Sequence, residues 1–123
     1  MIILDYQDRR PIYEQVTEKL RILIYREVLP AGARLPSVRQ LAMELSINPN
    51  TIQRAYMELE QEGLIYPVKG KGNFVADTSE IRRRGREAYC EKLREFIEKG
   101  KKLGIEKEEM TALVSSYYEE GKR

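Results

Sequence analysis

The 123-residue sequence contains no histidine and a single cysteine, Cys90. Those two shortages exclude much of enzyme chemistry. Serine and cysteine hydrolase triads, most zinc catalysis and imidazole acid–base chemistry all need residues that are missing here. One cysteine also excludes an internal disulfide and any zinc site assembled from paired cysteines. Long hydrophobic runs are missing too: the longest, such as Ile22 to Tyr25, fall far short of the roughly 20 residues that span a bilayer. The opening residues Met1-Ile2-Ile3-Leu4-Asp5 carry neither a basic leader nor a small-residue cleavage site, so a cytoplasmic chain with no membrane partner is expected. Gly70-Lys71-Gly72 begins like a dinucleotide fingerprint, but Val75 stands where its third glycine would fall, and no Walker sequence occurs. The chain therefore does not read as an enzyme, and neither a cofactor nor a metal is expected.

What is present is a heavily charged chain, 41% hydrophobic and 34% charged, with a formal net charge of only +2. So small an excess says little about nucleic acid, and the argument must rest on where the basic residues fall. From Pro11 the apolar residues Ile12, Val16, Leu20, Leu23, Ile24 and Val28 recur at the period of an amphipathic helix, which should stop at Leu29-Pro30-Ala31-Gly32. Ser37 with Gln40 three residues later spells a capping box for a short second helix, ending near Leu45, whose inner face is Val38, Leu41, Ala42 and Leu45. Asn48 before Pro49 is a strong start for a third helix, running to about Glu62. Its core face is Ile52, Ala55, Tyr56 and Leu59, and Gly63 terminates it. Leu64 to Val68 and Asn73 to Ala76 then read as strands of a hairpin with a glycine-rich tip, where Pro67 marks an exposed edge.

From Asp77 the character changes. A basic cluster of Arg82, Arg83, Arg84 and Arg86 leads into the stripe Tyr89, Leu93, Phe96 and Ile97, a long fourth helix. Gly104 and Ile105 look like a glycine cap with its hydrophobic follower, and Met110, Leu113, Val114 and Tyr117 make the stripe of a fifth helix. The expected fold is mainly α with a small β-hairpin. A winged helix-turn-helix over residues 1–76 is followed by a two-helix dimerisation segment over 77–123.

That element order favours DNA, because a short helix and a tight turn let the next helix protrude into a major groove. Asn50, Thr51 and Gln53 can donate and accept toward base edges, and Arg54 can pair with guanine or phosphate. Glu58, Glu60 and Glu62 crowd the far end of the same helix, so only its acid-free first half can approach phosphates without repulsion. At the hairpin tip Gly70 and Gly72 remove bulk, while Lys69 and Lys71 neutralise phosphate or enter the minor groove. Arg34 and Arg39 flank the second helix, where they can reach phosphates, and Ser37 serves chiefly as its cap. A polar helix face and a lysine-bearing turn also occur as plain solvated surface. The alternative to a DNA reader is a winged helix used as a protein–protein module.

The segments Pro11-Ile12-Tyr13-Glu14-Gln15, Gly32-Ala33-Arg34-Leu35-Pro36-Ser37-Val38-Arg39-Gln40-Leu41-Ala42, Asn48-Pro49-Asn50-Thr51-Ile52-Gln53-Arg54-Ala55-Tyr56 and Gly70-Lys71-Gly72-Asn73-Phe74-Val75 resemble the GntR family of bacterial regulators. The resemblance covers nearly all of residues 10 to 76. It implies that the recognition helix and wing contact an operator in double-stranded DNA and that Arg34 and Arg39 meet it. Many relatives carry an arginine where this chain has Pro49, which shifts base readout toward Asn50, Thr51, Gln53 and Arg54. About 47 residues remain, too few for a metabolite-binding or aminotransferase-like domain. The chain thus resembles the YtrA subfamily, whose short tail dimerises and whose members often repress ABC-transporter operons. On this resemblance a homodimer is expected through Tyr89, Leu93, Phe96, Ile97, Met110, Leu113, Val114 and Tyr117, the alternative being that these stripes fold back onto the winged helix. Cys90, beside the stripe, is expected to be a buried apolar group. No motif names a small-molecule effector, which would have to lodge between helices or at the dimer seam.

Overall fold

Apolar residues repeating at three- and four-residue steps become the inner faces of three helices, and the break signals between them become turns. The computed structural model describes residues 2–120. Its elements are α1 (Ile12–Tyr25), α2 (Val38–Leu45), α3 (Pro49–Gln61), β1 (Ile65–Val68), β2 (Gly72–Val75), α4 (Ser79–Lys102) and α5 (Lys107–Glu120). Mainly helical with one antiparallel hairpin, this is a winged helix-turn-helix followed by two further helices. The chain separates into two compact units, one through residue 82 and one from residue 83 onward.

In the first unit Val16, Leu20 and Ile24 of α1, Leu41 and Ala42 of α2, and Ile52, Ala55, Tyr56 and Leu59 of α3 join Leu64, Ile65 and Val75 in one core. Both predicted starts are built as the residues suggest. The Ser37 hydroxyl accepts the Gln40 N–H at 3.1 Å while the Gln40 side chain accepts the Ser37 N–H at 3.0 Å. The Asn48 side chain accepts the Asn50 N–H at 2.8 Å, with Pro49 at the first helical position. Gly63, at φ +79, follows the end of α3 in a conformation that costs glycine little. The Tyr56 hydroxyl donates to the Pro36 carbonyl at 2.7 Å, fastening α3 to the entry of α2. Tyr56→Phe leaves that carbonyl unpaired and is expected to lower the unfolding free energy by about 1 kcal/mol, checked by urea denaturation.

α1 ends earlier than its stripe suggests. It stops at Tyr25, Glu27 turns to φ +61, and the Leu29 N–H returns to the Leu23 carbonyl at 3.0 Å. Val28, expected on the buried face, is consequently exposed, because the left-handed residue before it carries the chain off the helical path. The Glu27 carboxylate accepts from Arg82 in the first turns of α4 at 2.8 Å.

The hairpin has a third component. β2 pairs with β1 in the register Ile65↔Val75, Tyr66↔Phe74, Pro67↔Asn73 and Val68↔Gly72. On its other side, Val75 N–H donates to Ala33, and the Gly32 and Leu35 N–H groups donate to Val75 and Asn73. β2 is therefore bonded along both edges.

In the second unit α4 and α5 meet at Gly100, the one buried residue of α4. A Cβ there would meet the terminal methyl of Met110, which would have to move aside. Gly104, at φ +80, closes α4, and the Ile105 N–H bonds back to the Gly100 carbonyl at 3.0 Å, the expected glycine cap with its follower. Cys90 is exposed, contrary to the expectation of a buried apolar group. The apolar stripe beside it, Tyr89, Leu93 and Phe96, is itself exposed, so nothing covers the thiol. No helix of the described residues is long and apolar enough to cross a membrane.

Candidate nucleic-acid interface

The first turn of α3 contains no acid, and Asn50, Gln53 and Arg54 are exposed with Thr51 half-buried among them. The core residues of α3 fix this outcome, since burying Ile52, Ala55, Tyr56 and Leu59 turns Asn50, Gln53 and Arg54 away from the core. Pro49 has no N–H and the Asn50 and Thr51 amides both donate to Asn48, so what favours an anion at this end is the helix dipole. At the other end Glu62 is paired with Arg21 by two hydrogen bonds of 3.0 Å, which raises the Arg21 pKa.

Arg54 does not project freely. Its guanidinium carbon lies 3.7 Å from the centroid of the Tyr13 ring on α1. Tyr13 has a place in the family resemblance but no expected role at the interface, and the two residues are 41 positions apart, so no local pattern could have paired them. Burial pushes the Tyr13 phenol above its usual pKa, and its hydroxyl donates to Glu14 at 3.2 Å.

At the wing, Lys69, Gly70 and Lys71 form an exposed tip closed by the Lys71 N–H to the Val68 carbonyl at 2.9 Å. Gly70 and Gly72 take φ of +78 and +111. Sequence reasoning placed Arg34 beside α2, but its chain bridges to Phe74 and its side chain lies over Gly72, where an added Cβ would stand 3.4 Å from the guanidinium Nε. Arg34 is thus brought to the wing, beside Gly72. Arg39 is exposed in the first turn of α2. Ser37 is occupied as an acceptor by its cap bond. Tyr66 and Phe74 stack with centroids 6.0 Å apart, an aromatic brace across the strands that alternation alone did not reveal.

In the second unit Leu93, Phe96, Ile97, Met110, Leu113 and Val114 line an open apolar groove of about 480 Å³. Tyr89 and Tyr117 are exposed on the same two helices. All eight residues expected at a dimer interface thus lie on α4 or α5, and six of them share one groove.

Residues 12–75 match the family described as bacterial regulatory proteins, gntR family. The chain is 36% identical over 117 residues to the uncharacterized HTH-type transcriptional regulator YhcF of Bacillus subtilis, covering 94% of this chain and 97% of that protein. It belongs to the GntR family. Another relative of this GntR-family chain is the HTH-type transcriptional repressor YtrA of the same organism, 39% identical over 64% of this chain and 61% of YtrA. Among solved structures, a GntR family transcriptional regulator from Listeria monocytogenes superposes with TM-score 0.70 at 38% identity, covering 92% of this chain and 98% of that one. The DNA-binding domain of AraR, in complex with operator ORR3, matches with TM-score 0.53 at 30% identity, over 60% of this chain and 89% of that one. The GntR assignment makes the chain a non-enzymatic transcription regulator.

Proposed function

We propose that the chain is a homodimeric repressor that binds an inverted-repeat operator through α3 and the wing. The observation that carries this is the presence of two surfaces: an acid-free, exposed start of α3, and an exposed wing tip bearing Lys69 and Lys71, with Arg34 over Gly72. In this reading Asn50, Thr51 and Gln53 read base edges and Arg54 reads a base or a phosphate. Arg39, Arg34 and the Lys69-Gly70-Lys71-Gly72 tip hold the backbone, and Ser37 keeps α2 capped beside it. The likeness to an AraR domain seated on its operator supports a DNA partner.

Dimerisation draws support from a different quarter. Gly100 is the one buried residue of α4, and α5 contains none. Two amphipathic helices that leave Leu93, Phe96, Leu113 and Val114 exposed have an apolar side large enough to require cover, and a second copy matches one stripe with its own. A two-fold dimer also reads two half-sites about one helical turn of DNA apart, which one small winged helix cannot do. The sequence resemblance to YtrA-type regulators makes an ABC-transporter operon the first target to examine.

The test is selection of a duplex from a random-sequence pool, followed by titration in gel-shift. The proposal expects an inverted repeat bound at least 1,000-fold more tightly than random DNA at about 150 mM salt. Equal binding to both would sink it. Lys71→Ala is expected to weaken selected and random duplexes about equally and to lower the slope of log affinity against log salt by about one unit. A loss of sequence preference alone would contradict the phosphate role of Lys71.

A further inference from the structure

We infer that Tyr13 is a positioning residue for DNA recognition, its ring holding the Arg54 guanidinium in place at the start of the reading helix. The inference rests on the DNA-binding role proposed above for Arg54. Its observation is the stacking of Arg54 on Tyr13, at 3.7 Å from guanidinium carbon to ring centroid.

An arginine side chain on an exposed helix face samples many rotamers, and each one frozen on binding weakens the complex. Proteins order such a side chain in two ways. A carboxylate partner does so by occupying the N–H donors and cancelling the charge. An aromatic ring does so from the face of the guanidinium plane, leaving the donors along its edge available and the charge intact. Only the second arrangement leaves an arginine both ordered and able to meet a phosphate or guanine. In this domain the neighbouring ion pairs run from Arg10 to Asp8 and Glu18 and from Arg21 to Glu62, while Arg54 rests on the ring. Tyr13 is suited to the task. It is in the first turn of α1 and half-buried, so the helix and its surroundings limit the movement of the ring.

The ring face does the holding, so the hydroxyl is dispensable. Tyr13→Phe is therefore expected to bind the selected duplex as the unaltered protein does, whereas Tyr13→Leu is expected to weaken it about three- to ten-fold. In an Arg54→Ala background, Tyr13→Leu is expected to cause no further loss, a non-additivity that a general loss of packing would not produce. Thermal unfolding of each variant runs alongside. As a reading that needs no variant, the Arg54 side-chain methylene protons of the unaltered protein are expected to show upfield ring-current shifts in solution. Additive losses in the double variant, or equal losses for Tyr13→Phe and Tyr13→Leu, would overturn the inference while leaving the DNA-binding proposal standing. Arg54 resonances at random-coil positions would do the same. Failure of the unaltered protein to select any sequence removes both.

Discussion

Leu20→Ala is expected to lower the unfolding free energy by about 3–4 kcal/mol. Leu20 is wholly buried at the middle of α1, within the cluster that includes Val16, Ile24, Ile52, Leu59 and Leu64. Truncation removes three heavy atoms from a site that cannot collapse, because α1 is held at its start by Gln15 and near its end by Arg21. The buried Gln15 side chain accepts the Asp5 N–H at 2.9 Å and donates to the Arg10 carbonyl at 3.3 Å, and Arg21 reaches Glu62, the residue that follows α3. The cavity therefore stays open, and the loss falls in the upper half of the usual range. Small domains have total stabilities of roughly 5–15 kcal/mol, so the variant gives up a large share of the total. Urea denaturation monitored by circular dichroism measures it. A loss below about 1 kcal/mol would mean that α1 is not the keel of the domain.

Phe96→Asp addresses the proposed dimer. Phe96 is 69% exposed in the single chain, so an aspartate at this position remains hydrated in the protomer and need not disturb its fold. In a two-fold interface built on the α4–α5 groove, the same change buries a carboxylate from each copy among Leu93, Ile97 and Leu113. Loss of one aromatic anchor from an interface commonly costs about 2–4 kcal/mol, and the desolvated charge adds to it. Analytical ultracentrifugation at micromolar concentration should accordingly change from dimer to monomer, with the affinity for a two-half-site duplex falling about 100-fold or more. A variant that sediments as the unaltered protein does would exclude this groove as the contact.

Features encoded within a few residues of one another were legible in the chain. The Ser37–Gln40 box, the Asn48-Pro49 start, the stripe Ile52, Ala55, Tyr56 and Leu59, and the Gly104 cap each depend on contacts spanning one or two helical turns, and each is built as the residues suggest. What escaped was set by distant pairings. The position of Arg34 depends on β2 nearly forty residues on, and that of Arg54 on a ring in α1. Val28 fits the α1 period as well as Ile24 does. Only the left-handed turn at Glu27, a residue with no intrinsic preference for it, takes Val28 out of the core. Gly100 lay unremarked inside a helical stripe, because a glycine there resembles a mere weakness until Met110 is seen against it.

The two-sided bonding of β2 has a bearing on the free edge of the wing. Because the Asn73 and Val75 backbone groups face the Gly32–Leu35 segment, their partners Pro67 and Ile65 turn their own backbone groups to the outer margin of β1. One of those two lacks an N–H, so the margin offers a single strand donor, from Ile65, to an incoming chain. Such an edge is a poor template for sheet growth. Sheet growth through the wing is thereby disfavoured even where the protein is concentrated.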